Sequence, residues 1–296
     1  LQVFAQGLLG AGIAILYLSA YASFNFYHLV PLAAAFVLMS VVTLTAFLHA
    51  VRYDSFAVSL LGWFGGFLTP FLLSSGEANE TGLFTYILLL DIGLAAIFLK
   101  KTSWTLLELL TFAATWATYI LWHGAFYSEE KLGTTIVFLT LFWGVFLGLD
   151  IAMTWKRVIS FPRLRHWIYS LNAVIYYVAL YIILNARHSN WTAPAALAPG
   201  AVYFLTVLGG KRFWKEAEDH HDRRALIAIA LLAVATGIHF SGYALVIAWS
   251  LEALALVWSG TYWRMPPVWM AALGLFAFAV MSLIDTIKAA FEPLPL

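Results

Sequence analysis

Short polar breaks cut this chain into about eleven runs of largely apolar residues, each near the length that crosses a bilayer. Roughly 20 such residues in a helix span about 30 Å of hydrocarbon. Inside lipid, a backbone must satisfy its own N–H and C=O groups, which a helix does. The runs are Leu1 to Ala22, Leu29 to Ala50, Phe56 to Ser75, Gly82 to Leu99, Trp104 to Trp122, Leu132 to Thr154, His166 to Leu184, Thr192 to Gly210, Ala225 to His239, Tyr243 to Ser259 and Pro267 to Ile284. With 63% of residues apolar and 10% charged, little sequence is left for anything else. They specify an all-α, polytopic integral membrane helix bundle, a single transmembrane domain over residues 1–296.

Threading the runs back and forth sorts the basic residues. Thirteen of the sixteen Lys and Arg fall on one face: Arg52, Lys100, Lys101, Lys156, Arg157, Arg163, Arg165, Lys211, Arg212, Lys215, Arg223, Arg224 and Arg264. The other face holds Lys131, Arg187 and Lys288. Cytoplasmic loops retain Lys and Arg during insertion, so the crowded face is expected to be cytoplasmic. The amino terminus then lies inside and the carboxyl terminus outside. Tryptophan favours the interface, and Trp104, Trp155, Trp167, Trp214, Trp258 and Trp263 fall near inner ends, with Trp122 and Trp191 near outer ones. Because topology already explains these cations, they do not by themselves mark a binding site.

Several classes are excluded. Cysteine is absent, which removes disulfides, thiolate metal sites and cysteine nucleophiles. A net charge of +1 gives no bulk affinity for nucleic acid. The longest polar stretch, Lys211 to Arg224, reads as a solvated charged loop or a short interfacial helix rather than a domain. His220 and His221 within it are adjacent and point about 100° apart on a helix, which suits no shared metal ion. No nucleophile triad, HExxH or phosphate loop is present, so no catalytic residue, metal or cofactor is assigned.

Two runs carry residues that loosen helices. Gly62 to Pro70 combines Gly62, Gly65 and Gly66 with Pro70, whose missing N–H leaves a carbonyl free one turn back. Pro199 and Gly200 do the same in the eighth run. Such segments either line cavities as interrupted helices or permit close packing and a bend.

The segments Gln6 to Ile13 (QGLLGAGI) with Tyr17-Leu18, Tyr27 to Phe36 (YHLVPLAAAF), Gly65 to Pro70 (GGFLTP) and Trp249 to Gly260 (WSLEALALVWSG) resemble a bacterial family of predicted membrane proteins, domain of unknown function 2339. The likeness spans most of the chain and is strongest before Trp122. It implies a many-helix protein of the bacterial inner membrane and supplies no catalytic residues. Members of that family carry additional amino-terminal sequence, so the chain is read as a fragment of a longer one.

Acidic side chains inside the spans concentrate the functional question. An acid at mid-bilayer costs about 2.5 to 3.5 kcal/mol on insertion scales, so it must be neutral, hydrogen-bonded, solvated or functional. Asp91 and Glu252 are the deepest, Glu108 lies one turn inside the fifth run, and Asp150 lies near the inner end of the sixth. These four are the candidates for transport or proton coupling. His49, Arg52, Asp54, Arg163 and Arg165 near the inner face are candidates for holding a phosphate-bearing headgroup. Three functions fit: a transporter or permeation pathway for a small solute, ion or lipid, a membrane-embedded enzyme acting on lipid-linked or envelope glycan substrates, and an assembly scaffold of the envelope. The favoured one is transport through buried carboxylates. The expected partners are membrane lipids, other envelope proteins or a second copy.

Overall fold

The computed structural model describes residues 2–73, 79–156, 163–185, 187–209, 218–262 and 264–291. Among them eleven α-helices form and no strand. They are α1 (Gln2–Asn25), α2 (Leu32–Arg52), α3 (Phe56–Leu72), α4 (Glu80–Lys100), α5 (Thr105–Phe126), α6 (Leu132–Trp155), α7 (Arg163–Asn185), α8 (Thr192–Gly209), α9 (Glu218–His239), α10 (Gly242–Tyr262) and α11 (Pro266–Phe291). Single 3-10 turns, Glu129–Lys131 and Ser189–Trp191, lead into α6 and α8.

Every helix occupies one of the apolar runs, and nine of those described are long and apolar enough to cross a membrane. The other two depart for different reasons. α3 has 17 residues and falls just short. α9 begins at Glu218 rather than Ala225, so its first turns are charged. The expectation of a solvated loop up to Arg224 is thereby corrected: the chain is helical from Glu218, and the Arg224 side chain is fully buried. Residues 211–217, with Lys211, Arg212, Trp214 and Lys215, lie outside the described residues, as do Arg157, Trp263 and the side chains of His220 and His221.

Local chemistry sets several helix ends. Ser55 Oγ accepts the Val58 N–H at 3.4 Å, and Asn79 Oδ1 accepts the Gly82 N–H at 2.8 Å, so one of the orphan donors at each of these two amino-terminal turns is satisfied. Gly242 adopts φ +57° where the chain turns from α9 into α10, a conformation glycine takes without steric penalty.

The chain divides into two compact units, Leu1–Leu149 and Asp150–Leu296. In the first, α1, α2 and α3 pack on one another and α4 packs on α5. Glycines permit the approach: a Cβ on Gly62 would lie 3.0 Å from Ala46, and one on Gly66 3.0 Å from Thr43. The Phe84 ring of α4 centres an aromatic cluster, 4.8 Å from Trp122, 5.4 Å from Phe138 and 5.7 Å from Phe142. In the second unit, α8 pairs with α9 and α10 with α11. A Cβ on Gly260 would meet the Trp269 backbone N at 2.9 Å, and Trp249 Nε1 of α10 donates to the Ala233 carbonyl of α9 at 3.0 Å.

Large apolar side chains such as Leu48, Leu89, Leu205, Leu254 and Phe278 are more than half exposed, as expected where the solvent is lipid. Trp155, Trp167, Trp191 and Trp258 are likewise exposed at helix ends. Trp104 and Trp122 differ from the interfacial expectation by turning inward, Trp122 into the Phe84 cluster.

Candidate functional site

Four polar residues of α5, Glu108, Thr111, Thr115 and Thr118, recur every three or four positions and so share one helix face. All four are at most 5% exposed, the reverse of a solvent-facing polar stripe. At 1.5 Å per residue the stripe covers about 15 Å, half the hydrocarbon thickness.

Asp91 of α4 meets this stripe. It is 1% exposed, and Thr115 Oγ1 lies 2.9 Å from each of its carboxyl oxygens. The same hydroxyl is 2.9 Å from the Thr111 carbonyl, and Thr111 donates to the Leu107 carbonyl at 2.8 Å. A hydroxyl carries one hydrogen, so Thr115 cannot donate to all three oxygens at once; it is a junction between the carboxyl and the α5 backbone. No Lys, Arg or His pairs with Asp91 among the described residues.

The remaining acids have other surroundings. Glu252 is half-buried on α10 and faces Thr236 of α9. Asp150 is 1% exposed but ion-paired: Arg223 bonds one carboxyl oxygen, and Arg224 Nε lies 3.1 Å from the other. Arg224 also donates to Thr154 Oγ1 at 2.8 Å, and the Arg223 guanidinium lies 5.4 Å above the Tyr169 ring. The second unit therefore ties the end of α6 to the start of α9 through one carboxylate and two arginines. Topology does not by itself explain every cation, since Arg165 and Arg224 are both fully buried.

The glycine and proline segments form continuous helices. α3 runs unbroken through Gly65, Gly66 and Pro70, and α8 through Pro199 and Gly200. Pro70 has no N–H to give the Gly66 carbonyl, and the Tyr86 hydroxyl of α4 donates to that oxygen instead, at 2.8 Å. Gly65 makes room for an aromatic ring: a Cβ there would fall 2.0 Å from Tyr17, whose hydroxyl is 2.7 Å from Thr43 Oγ1.

The five headgroup candidates do not gather in either unit. His49 Nδ1 lies 2.8 Å from the Thr45 carbonyl, Asp54 accepts from Lys101 at 2.6 Å, and Arg52 is exposed beside Tyr53. Arg163, exposed, and Arg165, buried, belong to the other unit.

Thr115, Tyr86 and the Arg223–Arg224 pair were not singled out by sequence reasoning. The α5 stripe carries a legible signal, polar residues at helical period within an apolar run. Tyr86 and the arginines carry none until their helices are paired.

No match was found among curated proteins or among solved structures. The model of one family, described as predicted membrane protein (DUF2339), matches residues 1–294, and with nearly the whole chain matched, the protein belongs to that family.

Proposed function

We propose that the protein is a proton-coupled transporter or permeation pathway for a small solute, ion or lipid, set in the bacterial inner membrane with its amino terminus in the cytoplasm. The observation that carries this reading is the sealed contact between Asp91 and Thr115 within the polar stripe of α5. An ionised carboxylate buried without a cation is costly, so such a group holds a proton while sealed and releases it when water enters. Thr115 and Thr111 give their hydroxyl hydrogens to backbone carbonyls of α5, and Glu108, the next buried acid on the same face, lies about 10 Å from Thr115 along the axis. Asp91 is the proton carrier, Thr115 orients its carboxyl, and Glu108 is the second proton-exchanging acid on this face. Asp150, neutralised by two arginines, serves as a tether, and Glu252 belongs to the second unit.

The test is the purified protein in sealed liposomes loaded with a pH-sensitive dye. Addition of one member of a panel of solutes and amphiphiles should start proton entry that protein-free liposomes lack. Absence of such entry with every member would remove the reading.

A second reading rests on a pocket of about 520 Å³ in the second unit, lined by His166, Asp222 and Arg223 beside the buried Asp150. A membrane-embedded enzyme acting on a phosphate-bearing, lipid-linked substrate would use these groups. Turnover of such a substrate that His166→Gln abolishes would favour it, and intact turnover in that variant would exclude it.

A further inference from the structure

In the first unit a groove of about 610 Å³ runs between α2 and α4, from Phe36 and Tyr86 at one end to Arg52 and Lys100 at the other. Tyr86 to Lys100 is about 21 Å along a helix, longer than the ~15 Å of one leaflet's hydrocarbon. The hydroxyls on the groove wall are spent internally. Ser40 donates to the Phe36 carbonyl and Thr43 to the Met39 carbonyl, both at 2.8 Å, and Tyr86 donates to Gly66. The wall is therefore effectively apolar along its length.

The mouth is different. Lys101 is neutralised by Asp54 at 2.6 Å, whereas its neighbour Lys100 and Arg52 have no carboxylate partner among the described residues. Both are exposed, and both line the same end of the groove. The positive-inside rule explains why cations sit at this end. It does not explain why two uncompensated ones close a single apolar channel while the third is paired.

We infer that the α2–α4 groove is a binding site for an anionic phospholipid, with one acyl chain lying along the groove and the phosphate held by Arg52 and Lys100. This site stands apart from the proton path through Asp91 and does not depend on it. Gly93 gives a handle on the chain half of the site, because it lines the groove and nothing lies within 4 Å of a Cβ built on it. A side chain introduced there therefore starts from open space on the groove wall.

The experiment is native mass spectrometry of the full chain titrated with phosphatidylglycerol or phosphatidylethanolamine of identical chains. Two cations at about 1 kcal/mol each predict tighter binding of phosphatidylglycerol by about 30-fold. Arg52→Gln with Lys100→Gln should reduce it to the phosphatidylethanolamine level, and Gly93→Phe should weaken both lipids without lowering the melting temperature. Water-soluble glycerophosphoglycerol should not compete. Equal binding of the two lipids, a preference that survives loss of both cations, unaltered binding in Gly93→Phe, or full competition by the soluble headgroup would each overturn the site.

Discussion

The Tyr86 hydroxyl donates at 2.8 Å to the carbonyl of Gly66, the residue four positions before Pro70. A proline inside a helix removes one backbone hydrogen bond, and here a side chain of the neighbouring helix replaces it. Loss of one partner of a buried hydrogen bond costs about 1–3 kcal/mol. Tyr86→Phe should therefore lower stability by that amount, measured by thermal unfolding in detergent. Pro70→Ala restores the N–H, so Tyr86→Phe should cost markedly less in that background; equal cost in both would break the link between the two residues.

Glycines 65 and 93 are predicted to behave oppositely. Gly65→Ala places a methyl 2.0 Å from the Tyr17 ring and should destabilise by about 1–3 kcal/mol through overpacking. Gly93→Ala meets nothing within 4 Å and should be neutral or stabilising, by up to about 1 kcal/mol from helix propensity. Melting temperatures of the two variants separate these outcomes.

Asp150 holds two arginines in the second unit, both on the first turns of α9. Asp150→Ala should destabilise by about 3–5 kcal/mol, because it strands buried positive charge. Replacing Asp150 with Leu and both arginines with Met should recover much of that loss. A stable Asp150→Ala protein would show that the triad is not a tether.

Orientation is testable against a clean background, since the chain has no cysteine. Ser103, between α4 and α5, and Ser128, after α5, are both exposed. In intact cells or spheroplasts that hold the protein in their plasma membrane, a membrane-impermeant maleimide should label Ser128→Cys and spare Ser103→Cys until that membrane is opened. The reverse pattern would invert the topology.

The helices were legible because length and hydrophobicity suffice to define a span, and α3 and α9 depart only where a run is short or begins with charge. The burial of Asp91 was legible for the same reason. Its partner was not, because Thr115 faces it only once α4 packs on α5, although the spacing of Glu108, Thr111, Thr115 and Thr118 marks an inward polar face. Asp150 and its arginines lie more than seventy residues apart. Charge sorting by topology assigned Arg223 and Arg224 to a loop and concealed that they enter a helix to meet a carboxylate. The carbonyl left free by Pro70 was foreseeable, but Tyr86 as its donor required the α3–α4 register.

Proton entry into sealed proteoliposomes, compared between the wild type and Asp91→Asn, measures the coupling role of Asp91 most directly. The isosteric amide keeps a hydrogen-bonding group beside Thr115 but cannot exchange a proton at that position. Solute-dependent proton entry should be lost in Asp91→Asn while folded yield and melting temperature stay near those of the wild type. Undiminished proton entry in a well-folded Asp91→Asn protein would contradict the assignment of Asp91 as the proton carrier.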